Sequence, residues 1–271
     1  MSVDLTLDNK DLARTYDEIS DSQFDNGVLL IKRLEVKHGD AVLDIGSGTG
    51  RLGRYVADII GASGSLTGID PLEERIRIAN EKSQNSNAVY KIGTAEDLSF
   101  IADNSIDVVI LNAVFHWVMN KEAALKEISR VLKQGGRVGI TTGAKELSSI
   151  SGMQAITEKV LMRKQYREIV NLENYVLKKH GVTTTELILL LAKAGFAIKD
   201  IRVKTIFWPF HTAKDITKHS EASSFGNYLS YVPNSIRESV KSDIEAELEK
   251  HRTEEGIKLE RHTVFAVAQK R

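Results

Sequence analysis

The sequence predicts an α/β fold: a doubly wound, mostly parallel sheet with helices on both faces. Short apolar segments alternate with amphipathic helical segments through the first half of the 271-residue chain. These apolar segments are continuous, without polar alternation, which is typical of parallel strands buried on both faces. A glycine-rich segment joins the first strand to the next helix, at the edge where such sheets bind ligands. Together these three observations favour a ligand-binding sheet.

The first 36 residues predict helices only: a weak pattern around Leu12, Tyr16 and Ile19, then an amphipathic helix over 24–36. The strand "AVLDI" and the helix "RLGRYVADII" come next, followed by the strand "GSLTGID" and the helix "PLEERIRIANEKSQ". In that last helix Asp70 is the predicted cap. Pro71 fits its first turn, where a missing N–H costs nothing.

Three more strands complete the first half: "AVYKIG", "IDVVILNAV" and "RVGITTG". The helix "KEAALKEISRVLKQGG" precedes the last of them, and we expect it to end at the pair Gly135–Gly136. After residue 144 helices dominate, from "SISGMQAITEKVLMRKQYREIVNLENYVLKKHG" to "TTTELILLLAKAGF" and "PNSIRESVKSDIEAELEKHR". Only "AIKDIRVKTIFWPF" and "HTVFAVAQK" predict strands there.

We therefore expect an N-terminal helical segment over residues 1–36 and a main domain over 37–271. Insertions at about 145–182 and 209–261 would form a helical cap over one end of the sheet.

Composition limits the function classes. The formal charge is +0, with 37 basic and 37 acidic residues, which disfavours nucleic acid or an anionic membrane as partner. Cysteine is absent, so the sequence offers no disulfide, thiolate nucleophile or cysteine-based metal site. The histidines show no metal-ligand spacing, and no metal is expected. No signal-peptide pattern or long apolar run is present, which predicts a cytoplasmic protein.

The segment "DIGSGTG" covers residues 44–50. Its glycines permit a tight turn and close approach of a ligand, and the pattern alone suits a dinucleotide site or a structural turn. Asp44 narrows the choice, because a carboxylate there would repel a pyrophosphate. Asp70 ends the second strand about 20 residues later, where a carboxylate can accept both hydroxyls of a ribose. No Gly-Lys-Ser/Thr follows, so the loop is not a Walker A motif.

Five segments in order, "VLDIGSGTG", "TGID", "GTAEDL", "DVVILNAVFHW" and "RVLKQGGRV", make the chain resemble class I S-adenosylmethionine-dependent methyltransferases. The resemblance spans roughly residues 40–143 and is closest to the small-molecule branch, with ubiquinone/menaquinone-type and trans-aconitate-type enzymes. It implies a Rossmann-like seven-stranded sheet with an antiparallel last strand. The implied cofactor is S-adenosylmethionine, and the implied acceptor is a small molecule.

The resemblance also implies cofactor contacts. Asp44 would lie near the cofactor's amino group, and Asp70 would hold the ribose. Leu72 would pack on the adenine, Glu96 would lie near its amino group, and Asn112 would close the methionine side. The full set of implied cofactor-binding residues is Tyr16, Asp44, Gly46, Ser47, Gly48, Asp70, Pro71, Leu72, Ala95, Glu96 and Asn112.

The stretch "FHW" follows the fourth strand, beyond which ligands bind on such sheets. Phe115, His116 and Trp117 could form the wall between the transferable methyl group and the acceptor, or they could pack beneath a helix. His116 could act as a general base or orient the acceptor. A sulfonium leaves without a proton, so alignment can supply much of the rate and a carboxylate acceptor needs no base.

Aromatic residues of the second half could shape the acceptor cavity or stabilise the cap. Those counted as substrate-binding, besides His116 and Trp117, are Trp208, His211, Tyr228 and Tyr231. Arg163 and Arg167 could grip an acidic acceptor, although such a pair more often lies on a solvated helix face.

Alternatives stay open at this stage. The acceptor could be a carboxylate or hydroxyl, which we favour, or a carbon or nitrogen of a natural-product or quinone-like ring. A nucleic-acid or protein methyltransferase is disfavoured by the neutral charge and by "NAVF" after the fourth strand. A nucleotide-binding oxidoreductase and a catalytically silent binding protein are the other classes. Monomer and homo-oligomer are not distinguished.

Overall fold

A computed structural model describes residues 3–84, 86–147, 152–172 and 180–271. Its strands are β1 (Ala41–Ile45), β2 (Ser65–Asp70), β3 (Ala88–Ile92), β4 (Ile106–Asn112), β5 (Leu132–Gly143), β6 (Phe196–Phe210) and β7 (Ile257–Lys270). They form one sheet in the order β3-β2-β1-β4-β5-β7-β6. The first five strands pair in parallel, and β7 is antiparallel to both of its neighbours. The predicted fold class is confirmed.

Helices cover both faces and one end of this sheet. They are α1 (Lys10–Ile19), α2 (Asp21–Leu34), α3 (Arg51–Ile60), α4 (Glu73–Lys82), α5 (Lys121–Val131), α6 (Gly152–Leu161), α7 (Thr184–Lys193), α8 (Ala213–Ser223) and α9 (Asn234–Glu249). The threonine start predicted for α7 is a full capping box, in which Thr183 and Glu186 each bond the other's backbone N–H.

The buried apolar side chains form three cores. One lies between the sheet and α5 with α7, and a second lies between the sheet and α2, α3 and α4. The third belongs to the cap, where α6, α8 and α9 pack with the outer ends of β6 and β7. The first two cores hold the carboxyl ends of the parallel strands in place, and the third closes the space above them.

Two local predictions are wrong. Helix α5 ends at Val131, before Gly135, because Leu132 already has extended backbone and pairs with Ile106 of β4. Asp70 does not cap α4, whose N-cap residue is Leu72. The Asp70 carboxylate instead accepts a hydrogen bond from the Leu72 N–H at 3.0 Å, which keeps it at the strand end.

The second half is only partly described. Of the helical stretch predicted over 149–181, residues 149–151 and 173–179 lie outside the described residues. β7 begins at Ile257, inside the insertion predicted over 209–261, so that insertion is shorter at its C-terminal end. None of the helices in the described ranges has the length and apolar character needed to cross a membrane.

Candidate functional site

The glycine loop turns back sharply after β1. Gly46 and Gly48 have positive φ values of 72° and 52°, a conformation that favours glycine. The N–H groups of Gly46 and Ser47 both donate to the Ile69 carbonyl of β2, at 2.7 and 2.9 Å. A Cβ on Gly46 would lie 2.1 Å from Val114 Cγ2, so this loop and the one after β4 touch. The glycine loop therefore lies at the carboxyl ends of β1, β2 and β4.

Asp70 is fixed at the end of β2. Its Oδ2 accepts a hydrogen bond from the Gly48 N–H at 2.9 Å, and Oδ1 is held by Leu72 as described. Burial raises the pKa of the Asp70 carboxyl, while the Arg75 guanidinium and these two hydrogen bonds oppose the rise. The carboxylate thus joins the glycine loop to the start of α4, with its orientation set before any ligand arrives.

Asp44 lies at the end of β1 and is 2% exposed. Its Oδ2 is buried and has no hydrogen-bond partner among the described residues. Burial, and then the neighbouring Asp70 charge, raise the pKa of Asp44 to about 7. A buried carboxylate oxygen in this state is best satisfied by a cationic or hydrogen-donating ligand.

The N-terminal segment crosses the mouth of this loop. A Cβ on Gly48 would lie 3.3 Å from Tyr16 of α1. The Arg75 guanidinium stacks over the Tyr16 ring at 4.3 Å, forms an ion pair with Asp8 at 3.3 Å, and donates to the Ala222 carbonyl at 2.8 Å. Arg75, on α4, therefore contacts both the N-terminal segment and the cap. Burial raises the pKa of the Tyr16 hydroxyl.

Two predicted cofactor residues bind the chain itself. Glu96 Oε1 accepts hydrogen bonds from the N–H groups of Met119 and Asn120, at 3.1 and 3.2 Å. Asn112 donates to the Gln23 carbonyl at 2.9 Å and accepts from the Thr141 hydroxyl at 2.7 Å. Both side chains therefore position loops around the site.

The remaining predicted cofactor residues lie in three loops: Ser47 after β1, Pro71 and Leu72 between β2 and α4, and Ala95 after β3. Ser47, Leu72 and Ala95 are buried, and Pro71 is half-buried. Their cofactor contacts stay predictions.

The loop after β4 separates its three rings. Phe115 is fully buried in the core beneath α5, so its predicted place in the acceptor wall is wrong. His116 and Trp117 face the other way, with ring centroids 5.0 Å apart. The His116 Nδ1 lies 3.2 Å from the Thr142 hydroxyl. Burial, and then the charges of Lys121 and Arg261, lower the pKa of His116 to about 3.

His116 and Trp117 open onto a cavity of about 230 Å³. Trp208 and Tyr228, which the sequence predicts on the acceptor side, also line it. Tyr16 lines it too, although the sequence predicts this residue at the cofactor. The cavity therefore lies between the carboxyl ends of β4 and β5 and the cap, and Tyr16, which packs against Gly48, separates it from the glycine loop.

Two other predicted substrate residues do not line this cavity. His211 is exposed, and its carbonyl accepts a hydrogen bond from Arg252 at 2.5 Å. Tyr231 is 6% exposed and packs in the cap core. Arg163 forms ion pairs with Asp243 and Glu247, so it holds α6 to α9.

Several residues that line the cavity were not predicted from the sequence. Gln23 of α2 and Met153 of α6 enter from helices that are distant in sequence. Lys145 follows β5, and Glu260 and Arg261 lie on β7. The charged residues within "KLERHTVF" were the available signal, since charge inside a strand favours exposure to solvent or to a polar cavity.

The comparisons with known proteins agree with this geometry. Residues 43–140 match the family model described as a methyltransferase domain. The YcgJ protein of Bacillus subtilis superposes with a TM-score of 0.64 at 17% identity, covering 91% of this chain and 98% of that chain. The superposition shows the fold, and the family model identifies the domain that carries the glycine loop and the parallel strands. Residues 43–140 form a class I S-adenosylmethionine-dependent methyltransferase domain. The family and cofactor predicted from the sequence are confirmed.

Curated relatives in this methyltransferase family carry different names. An arsenite methyltransferase of Aquipseudomonas alcaligenes is 34% identical over 136 residues, 47% of this chain and 38% of the relative. A demethylmenaquinone methyltransferase of Lactobacillus johnsonii is 37% identical over 113 residues, 40% of this chain and 46% of the relative. The chain thus spans less than half the length of both relatives, and the aligned parts leave the acceptor open.

Proposed function

We propose that the protein transfers a methyl group from S-adenosylmethionine to a small organic acceptor held in the cavity beside His116. The observation that carries the proposal is the buried Asp44 carboxylate, whose Oδ2 has no partner among the described residues at the mouth of the glycine loop. A cofactor with a cationic amino-acid end fits that carboxylate, whereas a pyrophosphate would be repelled by it. The cofactor supplies an electrophilic methyl group on a sulfonium.

The residues of the loop supply binding and orientation. Asp44 would accept from the cofactor's ammonium group, and Asp70 would accept from the ribose hydroxyls while keeping its bonds to the loop. Tyr16 and the N-terminal segment would cover the bound cofactor and exclude water. Hydrogen bonds hold Asp70, and the Arg75 stack holds Tyr16, so these two side chains need little reorganisation on binding.

The low pKa of His116 bears on the acceptor. A histidine with a pKa of about 3 is neutral at pH 7 but is a weak base. Because its Nδ1 faces the Thr142 hydroxyl, the ring is suited to orient an acceptor. This favours acceptors that are already nucleophilic near neutral pH, above all a carboxylate or an acidic hydroxyl.

A second candidate is methylation of a ring carbon in a quinone-like acceptor. Trp117, Trp208 and Tyr228 give the cavity flat aromatic walls. The relative from Lactobacillus johnsonii is named for a demethylmenaquinone acceptor. The neutral net charge favours small molecules over nucleic acid for either candidate.

Calorimetric titration tests the proposal. We expect S-adenosylmethionine and S-adenosylhomocysteine to bind the protein, and NADH not to bind. Asp70→Ala should weaken both sulfur ligands about 10–100-fold, because hydrogen bonds to a charged group are lost. Asp25→Asn, at an exposed position on α2, is the matched control and should bind normally. NADH binding without either sulfur ligand would overturn the proposal in favour of an oxidoreductase.

A further inference from the structure

The outer parts of β6 and β7 form a two-stranded arm that extends past the sheet. β5 pairs with β7 only from Gln269 to Thr263, whereas β6 and β7 stay paired to Phe210 and Ile257. The arm therefore comprises residues 205–210 and 257–262, and its end packs in the cap core. It forms one wall of the cavity beside His116.

Two residues of the arm act as a unit. Arg261 pairs with Ile206 and Trp208 pairs with Leu259, so Arg261 and Trp208 are diagonal neighbours on one face. The Arg261 guanidinium lies 4.3 Å from the centroid of the Trp208 ring, and both residues line the cavity. Stacking uses the flat face of a guanidinium, whose N–H donors point outward in its plane. The indole thus sets the plane in which Arg261 can donate.

The charges around the cavity favour an anion. Lys145 and Arg261 line it as cations, and Glu260 is the acidic side chain among the described lining residues. Glu260 follows on the opposite face of the arm, where its Oε1 lies 3.5 Å from His262 Nε2. The positive charge of Arg261 repels a proton on His116 and on His219, and so contributes, after burial, to the low pKa of both rings.

We infer that Arg261, stacked on Trp208, binds an anionic group of the acceptor, so that the substrates are small organic anions with a flat or apolar body. The inference rests on the proposed function, because it assigns the ligand of the acceptor cavity. It assigns acceptor specificity to the pair Arg261 and Trp208. This pair lies outside the glycine loop and outside the family model, which ends at residue 140.

The test compares acids with their neutral amides. Benzoate, cinnamate and hexanoate, each beside its carboxamide, are titrated into the protein saturated with S-adenosylhomocysteine. At least one acid should bind about tenfold or more tightly than its amide, since a charge-assisted hydrogen bond is lost in the amide. Arg261→Gln should abolish that preference and leave amide binding unchanged. Arg261→Lys, which keeps the charge but not the planar stack, should retain part of it.

Arg202→Gln is the matched control on the same hairpin. Arg202 is half-exposed and pairs with Asp200, away from the cavity, so the preference for the acid should persist in this variant. Arg261→Lys also guards against a folding defect in Arg261→Gln.

Three results would overturn the inference: no probe binding, no acid preferred over its amide, or a preference that survives Arg261→Gln. If S-adenosylhomocysteine itself fails to bind, the proposed function fails and the inference falls with it. If it binds and no acid is preferred, only the inference fails.

Discussion

Replacing Asp44 by asparagine should change how stability depends on pH. The pKa of Asp44 rises from 3.8 to about 7 in the folded protein, so between these values the native state holds a proton that the unfolded chain has released. The stabilisation from that proton is complete below about pH 4 and is lost as the pH rises through 7. Burying this carboxyl therefore costs the wild type about 2 kcal/mol at pH 5 and about 4 kcal/mol at pH 8.

Asparagine has nearly the same shape and carries no charge at either pH. Any cost of burying its amide is independent of pH, so the comparison between the two pH values isolates the carboxylate. Relative to wild type, we expect Asp44→Asn to be about 2–3 kcal/mol more favourable in unfolding free energy at pH 8 than at pH 5. Urea denaturation of the ligand-free proteins at both pH values measures this. Asp25→Asn, at an exposed position, serves as control.

An equal difference between Asp44→Asn and wild type at the two pH values would refute the reasoning. It would mean that Asp44 has no raised pKa, and that its orphan oxygen is solvated or paired in solution. The variant should also lose most of its affinity for S-adenosylmethionine. Such a combination, greater stability with weaker binding, is expected where a buried charge is kept for a ligand.

Three further outcomes are expected. Wild-type affinity for S-adenosylmethionine should be about tenfold weaker at pH 6 than at pH 8 in calorimetry, because Asp44 must be ionised to bind the ammonium group; a flat profile would contradict this. Arg75→Met should lower the free energy of unfolding in urea by about 3–5 kcal/mol and speed proteolysis before residue 20, since Asp8 is left buried without its partner. An unchanged cleavage rate would contradict a role of the Arg75–Asp8 ion pair in holding the N-terminal segment. Glu247→Gln should lose its stability deficit progressively as the pH falls from about 4.5 through 2, because ion pairs lower the pKa of Glu247 to about 2; a deficit equal at pH 7 and about pH 3 would exclude those pairs.

The sequence predicts the sheet and the turn of the glycine loop well because their signals are local. Continuous apolar strands, the glycine loop and Asp70 at a strand end each follow from a few neighbouring residues. The end of α5 was predicted wrongly because Leu132 pairs with Ile106, which is distant in sequence. This pairing ends the helix before the chain reaches the glycine pair.

The acceptor side depends on contacts between distant segments. Whether Phe115 or His116 faces the cavity is decided by how the loop after β4 packs on the core beneath α5. Glu96 meets the backbone of Met119, which no local pattern reveals. Arg261 belongs to a strand that continues beyond its sheet, and only its pairing with β6 brings it to Trp208.

The cap has its own apolar core, separate from the two cores that flank the sheet. In evolutionary terms, the two halves of the site are then under different constraints. We expect substitutions in the cap that reshape its side of the cavity to disturb the cap core and to leave the packing beneath the glycine loop intact. We expect this separation to let related proteins change their substrate by mutations in the cap, while the glycine loop and its cofactor chemistry are preserved.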